Sequence, residues 1–133
     1  MKIEEYGKEH DKTILMLHGA NFVHCFGRQY VLSNQFHIIV PHIMGFGDEA
    51  DRIFDTETCV SELADFIQGL DKKVFLIGFS LGAQLACKLV SEYPHLFYSA
   101  IRAPRKTSVF RGNFENAMFF ALQFQGKKLD GNL

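Results

Sequence analysis

Three short apolar runs stand out along the chain: Thr13–Leu17, His37–Val40 and Val74–Ile77. Runs of four or five residues with little polar alternation are what a strand buried on both faces requires. The first ends at His18-Gly19 and the third at Gly78; the second stops at Pro41, which has no N–H to give a ladder. Between the second and third, Val60, Leu63, Ala64 and Ile67 recur at helical spacing within Thr56–Gly69. Asp55 or Thr56 can cap that helix and Gly69 suits its end. A shorter helix is predicted over Cys25–Leu32, and a longer one over residues 81–93, closed by Tyr93-Pro94. Lys2–Tyr6 reads as an edge strand. Buried strands alternating with helices predict an α/β fold, a three-layer sandwich around a mainly parallel sheet. In such sheets the ligand crevice lies beyond the carboxyl ends of the strands. Those ends gather His18-Gly19-Ala20, the segment Pro41 to Gly47, and Gly78-Phe79-Ser80 on one edge.

Composition narrows the field. The 133 residues suffice for one domain with a real core, and 47% hydrophobic with 22% charged residues is ordinary for a globular protein. A net charge of −1 argues against nucleic acid as an obligatory partner. No apolar stretch approaches the roughly 18 residues of a membrane span, and Met1–Tyr6 lacks a signal-peptide core. Cys25, Cys59 and Cys87 are odd in number and show no ligand spacing, which fits reduced thiols in a cytoplasmic protein. Cys87 reads as packing. No paired Cys/His set and no H-E-x-x-H occurs, so no metal is expected. No phosphate loop occurs, and Gly45-Phe46-Gly47 lacks a third glycine at dinucleotide spacing, so no cofactor is expected. The net charge hides a split. Residues 1–101 hold 8 Lys/Arg against 13 Asp/Glu, a balance of −5, whereas residues 102–133 hold 6 against 2, a balance of +4.

The candidate chemistry centres on Gly78-Phe79-Ser80-Leu81-Gly82, set between an apolar run and a helical pattern. A Gly-x-Ser-x-Gly sequence in that context is a strained strand-to-helix turn that lifts the serine hydroxyl above the sheet, at the positive end of the helix. Together with Leu17-His18-Gly19-Ala20 and Pro41-x-x-x-Gly45-Phe46-Gly47, in this order, it resembles the compact, single-domain esterase-like branch of the α/β-hydrolase superfamily, over about residues 1–101. The resemblance implies Ser80 as nucleophile, with the backbone N–H groups of Leu81 and Ala20 as the oxyanion hole. Gly19 lets the backbone approach, and Phe79 lines the site. His18 is expected to pack and hydrogen-bond beneath the loop rather than act as base. Where many relatives carry Asp after the proline and Ser after the second glycine, this chain has His42 and Asp48-Glu49. His42 then either lines the site or is a solvated loop histidine. The implied substrate is a small carboxylic ester or thioester.

A serine nucleophile needs a base, and in this fold the order is Ser, acid, His. After Ser80 the chain has one histidine, His95, and three acids, Glu92, Glu115 and Asp130. His95 follows a helix that carries it roughly 20 Å from the elbow. The resemblance fades within Phe97–Ile101, where a further strand is expected, and the basic segment from Arg102 follows. Residues 1–101 thus read as the front part of a truncated hydrolase domain, and 102–133 as a divergent basic tail. In that tail Phe114, Ala117, Met118, Ala121, Leu122 and Gln125 mark one helical face, between a cap at Asn113 and Gly126. Two functions follow: a serine hydrolase impaired by the missing base, or a non-catalytic module that binds a partner or self-associates through an exposed sheet edge.

Overall fold

The computed structural model describes residues 1–98 and the backbone of Phe120–Leu122. Ile3–Tyr6 forms β1, Thr13–Leu17 β2 and His37–Pro41 β3, followed by helix α1 (Thr56–Gly69), β4 (Phe75–Gly78), α2 (Leu81–Glu92) and β5 (Phe120–Leu122). They make one sheet in the order β1-β3-β2-β4-β5. β2 pairs in parallel with both β3 and β4, while β1 and β5 run antiparallel on the flanks. The three apolar runs are therefore the three parallel strands. All five residues of β2 and all five of β3 are buried.

Strand alternation divides the core between two faces. Leu15 and Leu17 of β2, with Ile39 and Leu76, meet Val60, Leu63 and Ile67 of α1 and Leu85, Ala86 and Leu89 of α2. Ile14 and Met16 face the other way, with Ile38, Val40 and the fully buried Phe26. Asp55 caps α1 by accepting the Thr58 N–H at 2.8 Å and the Thr58 hydroxyl at 2.6 Å.

Three local expectations are corrected. The segment Cys25–Leu32 is not an α-helix. It runs through i→i+3 turns (Cys25 N–H to Phe22 O, Gly27 N–H to His24 O, Gln29 N–H to Phe26 O) into a 3-10 helix, Gln29–Asn34. Gly27 weakens helix propagation there, and the burial of Phe26 against the sheet fixes the path instead. β3 runs one residue further than expected: Pro41, opposite Ile3 at the strand end, continues the extended backbone. The tail helix falls mostly outside the described residues; at Phe120–Leu122 the backbone is extended and pairs with Leu76–Gly78. The far edge of β4 offers unpaired backbone groups, and a ladder satisfies more of them than a helix lying beside it would. The strand expected from Phe97 begins with a parallel bridge to Val74, the Phe75 and Tyr98 rings stacking at 4.6 Å, and its continuation lies outside the described residues.

Among the described residues, no helix is long and apolar enough to cross a membrane. All three cysteines are free thiols.

One core position works against the fold. Thr13 is fully buried, and its hydroxyl is without a hydrogen-bond partner among the described residues. An unpaired buried hydroxyl costs about 1–3 kcal/mol. Thr13→Val keeps the shape and the strand preference, so it should stabilise the protein by about 1 kcal/mol in urea unfolding.

Candidate active site

The turn joining β4 to α2 is built by steric exclusion. Gly78 faces the carbonyl of Gly82, and Gly82 faces the carbonyl of Leu17, so closely that neither position has room for a Cβ. The Phe79 N–H donates to Leu17 O at 3.0 Å, and the Gly82 N–H returns to Phe79 O at 2.8 Å. Forced through this gap, Ser80 takes φ 52° and ψ −115°, a conformation non-glycine residues rarely adopt. The residue is exposed, and its hydroxyl makes no capping bond to α2. Leu81 opens α2, so its N–H belongs to the first turn, whose donors have no partner inside the helix.

The loop after β2 comes up beside this turn. A Cβ on Gly19 would sit 2.8 Å from the Phe79 ring and 3.6 Å from Ser80 Cβ. The Gly19 carbonyl accepts two hydrogen bonds, from His18 Nδ1–H at 2.7 Å and from the Phe22 N–H at 3.2 Å. Because the peptide is planar and trans, fixing that carbonyl also fixes the Ala20 N–H, which points the opposite way. Asn21 closes the turn at φ 55°. The Ala20 residue is exposed.

His18 is fully buried. Its Nε2 accepts the Ile43 N–H at 2.9 Å, so the proton resides on Nδ1 and both nitrogens are committed. Burial, outweighing the bond to Gly19, holds its pKa below the usual 6.5, with His42 and His24 adding repulsion. His18 is thus a neutral strut between the loops after β2 and β3.

His42 is neither solvated nor left with a free nitrogen. It is buried, with Nε2–H donating to Glu4 Oε1 at 2.8 Å and Nδ1 accepting the Asp48 N–H at 2.9 Å. Glu4, 38 positions away in sequence, is a partner that no local pattern announces. Burial pushes the Glu4 carboxyl up, but the bonds from His42 and Tyr6 together hold it below the usual carboxylate range. Glu49 is likewise structural: it accepts the Lys2 N–H at 2.6 Å and pairs with Arg52 at 3.2 Å, while Arg52 forks onto Glu62 at 2.9 and 2.6 Å. The polar departures around Pro41 therefore tie the loop to β1 and α1.

The structure brings Ser80, Phe79, Leu81, Gly19 and Ala20 together, with His18 beneath. Among the described residues it does not bring a base. All six histidines of the chain are described. His10 precedes β2 and His37 opens β3, at the opposite ends of these strands from the elbow. His24 lies against Tyr30 and Glu4, at 3.3 and 3.7 Å. Glu4 stands on β1, three strand spacings or about 14 Å from β4. His95 lies beyond the twelve residues of α2, about 18 Å of helix.

Residues 14–127 match the model of a family described as the alpha/beta hydrolase family. Among solved structures, a serine hydrolase from the polyaromatic-hydrocarbon-degrading bacterium Cycloclasticus zankles superposes with a TM-score of 0.63 at 22% identity, over 77% of this chain and 43% of that one. An epoxide hydrolase from Vigna radiata superposes with a TM-score of 0.60 at 22% identity, over 80% and 38%. The chain thus spans about two fifths of the length of these structures. No curated protein matches it significantly.

Two measurements check this geometry. Ser80→Gly relieves the strained φ whereas Ser80→Ala retains it, so the glycine variant should be more stable than the alanine variant by about 1 kcal/mol in urea unfolding. For His18, the unfolded chain binds more protons than the folded one just below pH 6.5, because the folded pKa is depressed. Its contribution is complete above that pH and is lost as pH falls. Urea titrations from pH 7.5 to 5.5 should show that loss, with a smaller slope in His18→Gln.

Proposed function

Because the chain belongs to the alpha/beta hydrolase family, we propose that it is built for serine hydrolase chemistry on a small carboxylic ester or thioester. Ser80 Oγ attacks the carbonyl carbon, and the N–H groups of Leu81 and Ala20 receive the charge that grows on the carbonyl oxygen. The carbonyl collapses to expel the alcohol or thiol, leaving an acyl-enzyme on Ser80 that water then cleaves. The observation that carries this reading is the backbone of Ser80 itself. A φ of 52° at an exposed, non-glycine residue is held only where the surroundings over-determine it. Here that backbone sets an exposed serine at the start of α2, beside the turn at Gly19. Losing one oxyanion donor typically costs about 3–4 kcal/mol of transition-state stabilisation.

The proton of Ser80 needs an acceptor, and each of the six imidazoles is committed or remote. In this reading the described residues carry the nucleophile and the oxyanion hole, and the base comes from outside them. The second reading, a non-catalytic binding or dimerisation module, is favoured by that same lack of an available imidazole.

Removing the histidine from a triad lowers kcat by about a millionfold. The purified chain should therefore show no steady ester hydrolysis above that residual level. A fluorophosphonate probe should label Ser80 slowly, free imidazole should accelerate the labelling, and Ser80→Ala should abolish it. Failure to label with imidazole present favours the binding module. Rapid hydrolysis lost in Ser80→Ala would show that the chain holds a base after all.

A further inference from the structure

The loop that follows β3 is held by a histidine, which makes its anchorage sensitive to protons. His42 is 5% exposed. The backbone N–H of Asp48 can only donate, so Nδ1 must carry a lone pair and Nε2 the proton. Nε2–H is fixed on Glu4 Oε1. Gly47, at φ 57°, lies so close that a Cβ there would stand 2.6 Å from Nδ1. The ring meets His18 edge-on at 6.3 Å between centroids. The titratable groups around it are Glu4 on β1, to which Tyr6 donates at 2.8 Å, His18 at the end of β2, His24 in the loop that follows, and Asp48 in its own loop.

We propose that His42 is a proton-operated latch: neutral, it holds the Asp48 N–H; protonated, it releases that amide and takes the Asp48 carboxylate instead. A proton can add only at Nδ1, which then becomes a donor facing a donor, and the hydrogen bond to the loop is lost. Asp48 Oδ2 already stands 4.0 Å from Nδ1, on a side chain that is 67% exposed and has room to turn. A shift of about 1 Å converts that approach into a charge-assisted hydrogen bond. Nε2–H stays on Glu4 in both states, so the ring keeps its place while the loop changes partner. The Ile43 N–H of this loop is bonded to His18, and His18 holds the Gly19 carbonyl. Release therefore loosens the support of the Ala20 N–H. That last consequence rests on the hydrolase reading; the latch does not.

The test is nitrogen NMR on the full chain between pH 7.5 and 5. His42 Nδ1 should move from an imine-type to a protonated shift, and the Asp48 amide should move with the same midpoint. The exchange protection of that amide should fall by about five- to tenfold, as expected for one lost hydrogen bond. Asp48→Asn, a change at an exposed side chain, keeps the N–H but replaces the carboxylate of the acid state by a neutral amide, which loses the charge-assisted bond, so its midpoint should lie at lower pH. Three results would overturn the latch. The Asp48 amide keeps its protection while His42 titrates; the midpoint is unchanged in Asp48→Asn; or Nδ1 stays unprotonated until the fold is lost.

Discussion

The contact on which the candidate site depends is the approach of α2's first turn to the end of β2, with Gly82 against the Leu17 carbonyl and no atom to spare. That approach sets where α2 begins, and the Phe79 N–H bond to Leu17 sets the height of the turn. With both ends fixed, the two residues between them have little choice of path, and Ser80 absorbs the mismatch in its own φ and ψ. The strain is held in place by the buried faces of the elements it joins. α2 is anchored by Leu85, Ala86 and Leu89 in the main core, and β4 by Leu76. A conformation costing about 1–3 kcal/mol persists because relieving it would mean undocking a helix.

The same economy of backbone governs the opposite wall. The Gly19 carbonyl is clamped by a side chain and by a main-chain donor, and peptide planarity transmits the clamp to Ala20. His18 serves this purpose because burial keeps it neutral, with one nitrogen able to donate and the other to accept. A protonated ring would lose the Ile43 bond. The property that suits His18 to this post also disqualifies it as a base for Ser80, since no lone pair is left over.

Much of this was legible in the residues. The three apolar runs became the parallel strands, and the Gly-x-Ser-x-Gly spacing became the elbow, because both depend on local sterics that a short window contains. The helix expected at Cys25–Leu32 failed for the complementary reason. Phe26 is drawn into the core by strands distant in sequence, and that burial overrides weak helical periodicity. His42 was ambiguous for want of Glu4, a partner brought across by β1–β3 pairing, in which Glu4 lies opposite Val40. Polar pairs between distant elements leave no periodic trace, so a buried histidine and a solvated one look alike until the register is known.

This division between local and non-local determinants also explains what the described residues assemble around Ser80. A strained turn at Ser80 beside a clamped Gly19 carbonyl requires only glycines, a helix start and a fixed loop, all within the span from Leu17 to Gly82. A general base requires a titratable side chain delivered from elsewhere with its ring nitrogen free, and here His18 and His42 are spent on holding backbone, while His24 lies against Tyr30 and Glu4. His18 satisfies the buried Ile43 amide, and His42 holds the amide of Asp48. Freeing either ring to accept the Ser80 proton would leave Ile43 or Asp48 unpaired and loosen the loops around the site. Among the described residues, His18 and His42 are committed to holding the loops, and that commitment is what removes them as acceptors for the Ser80 proton.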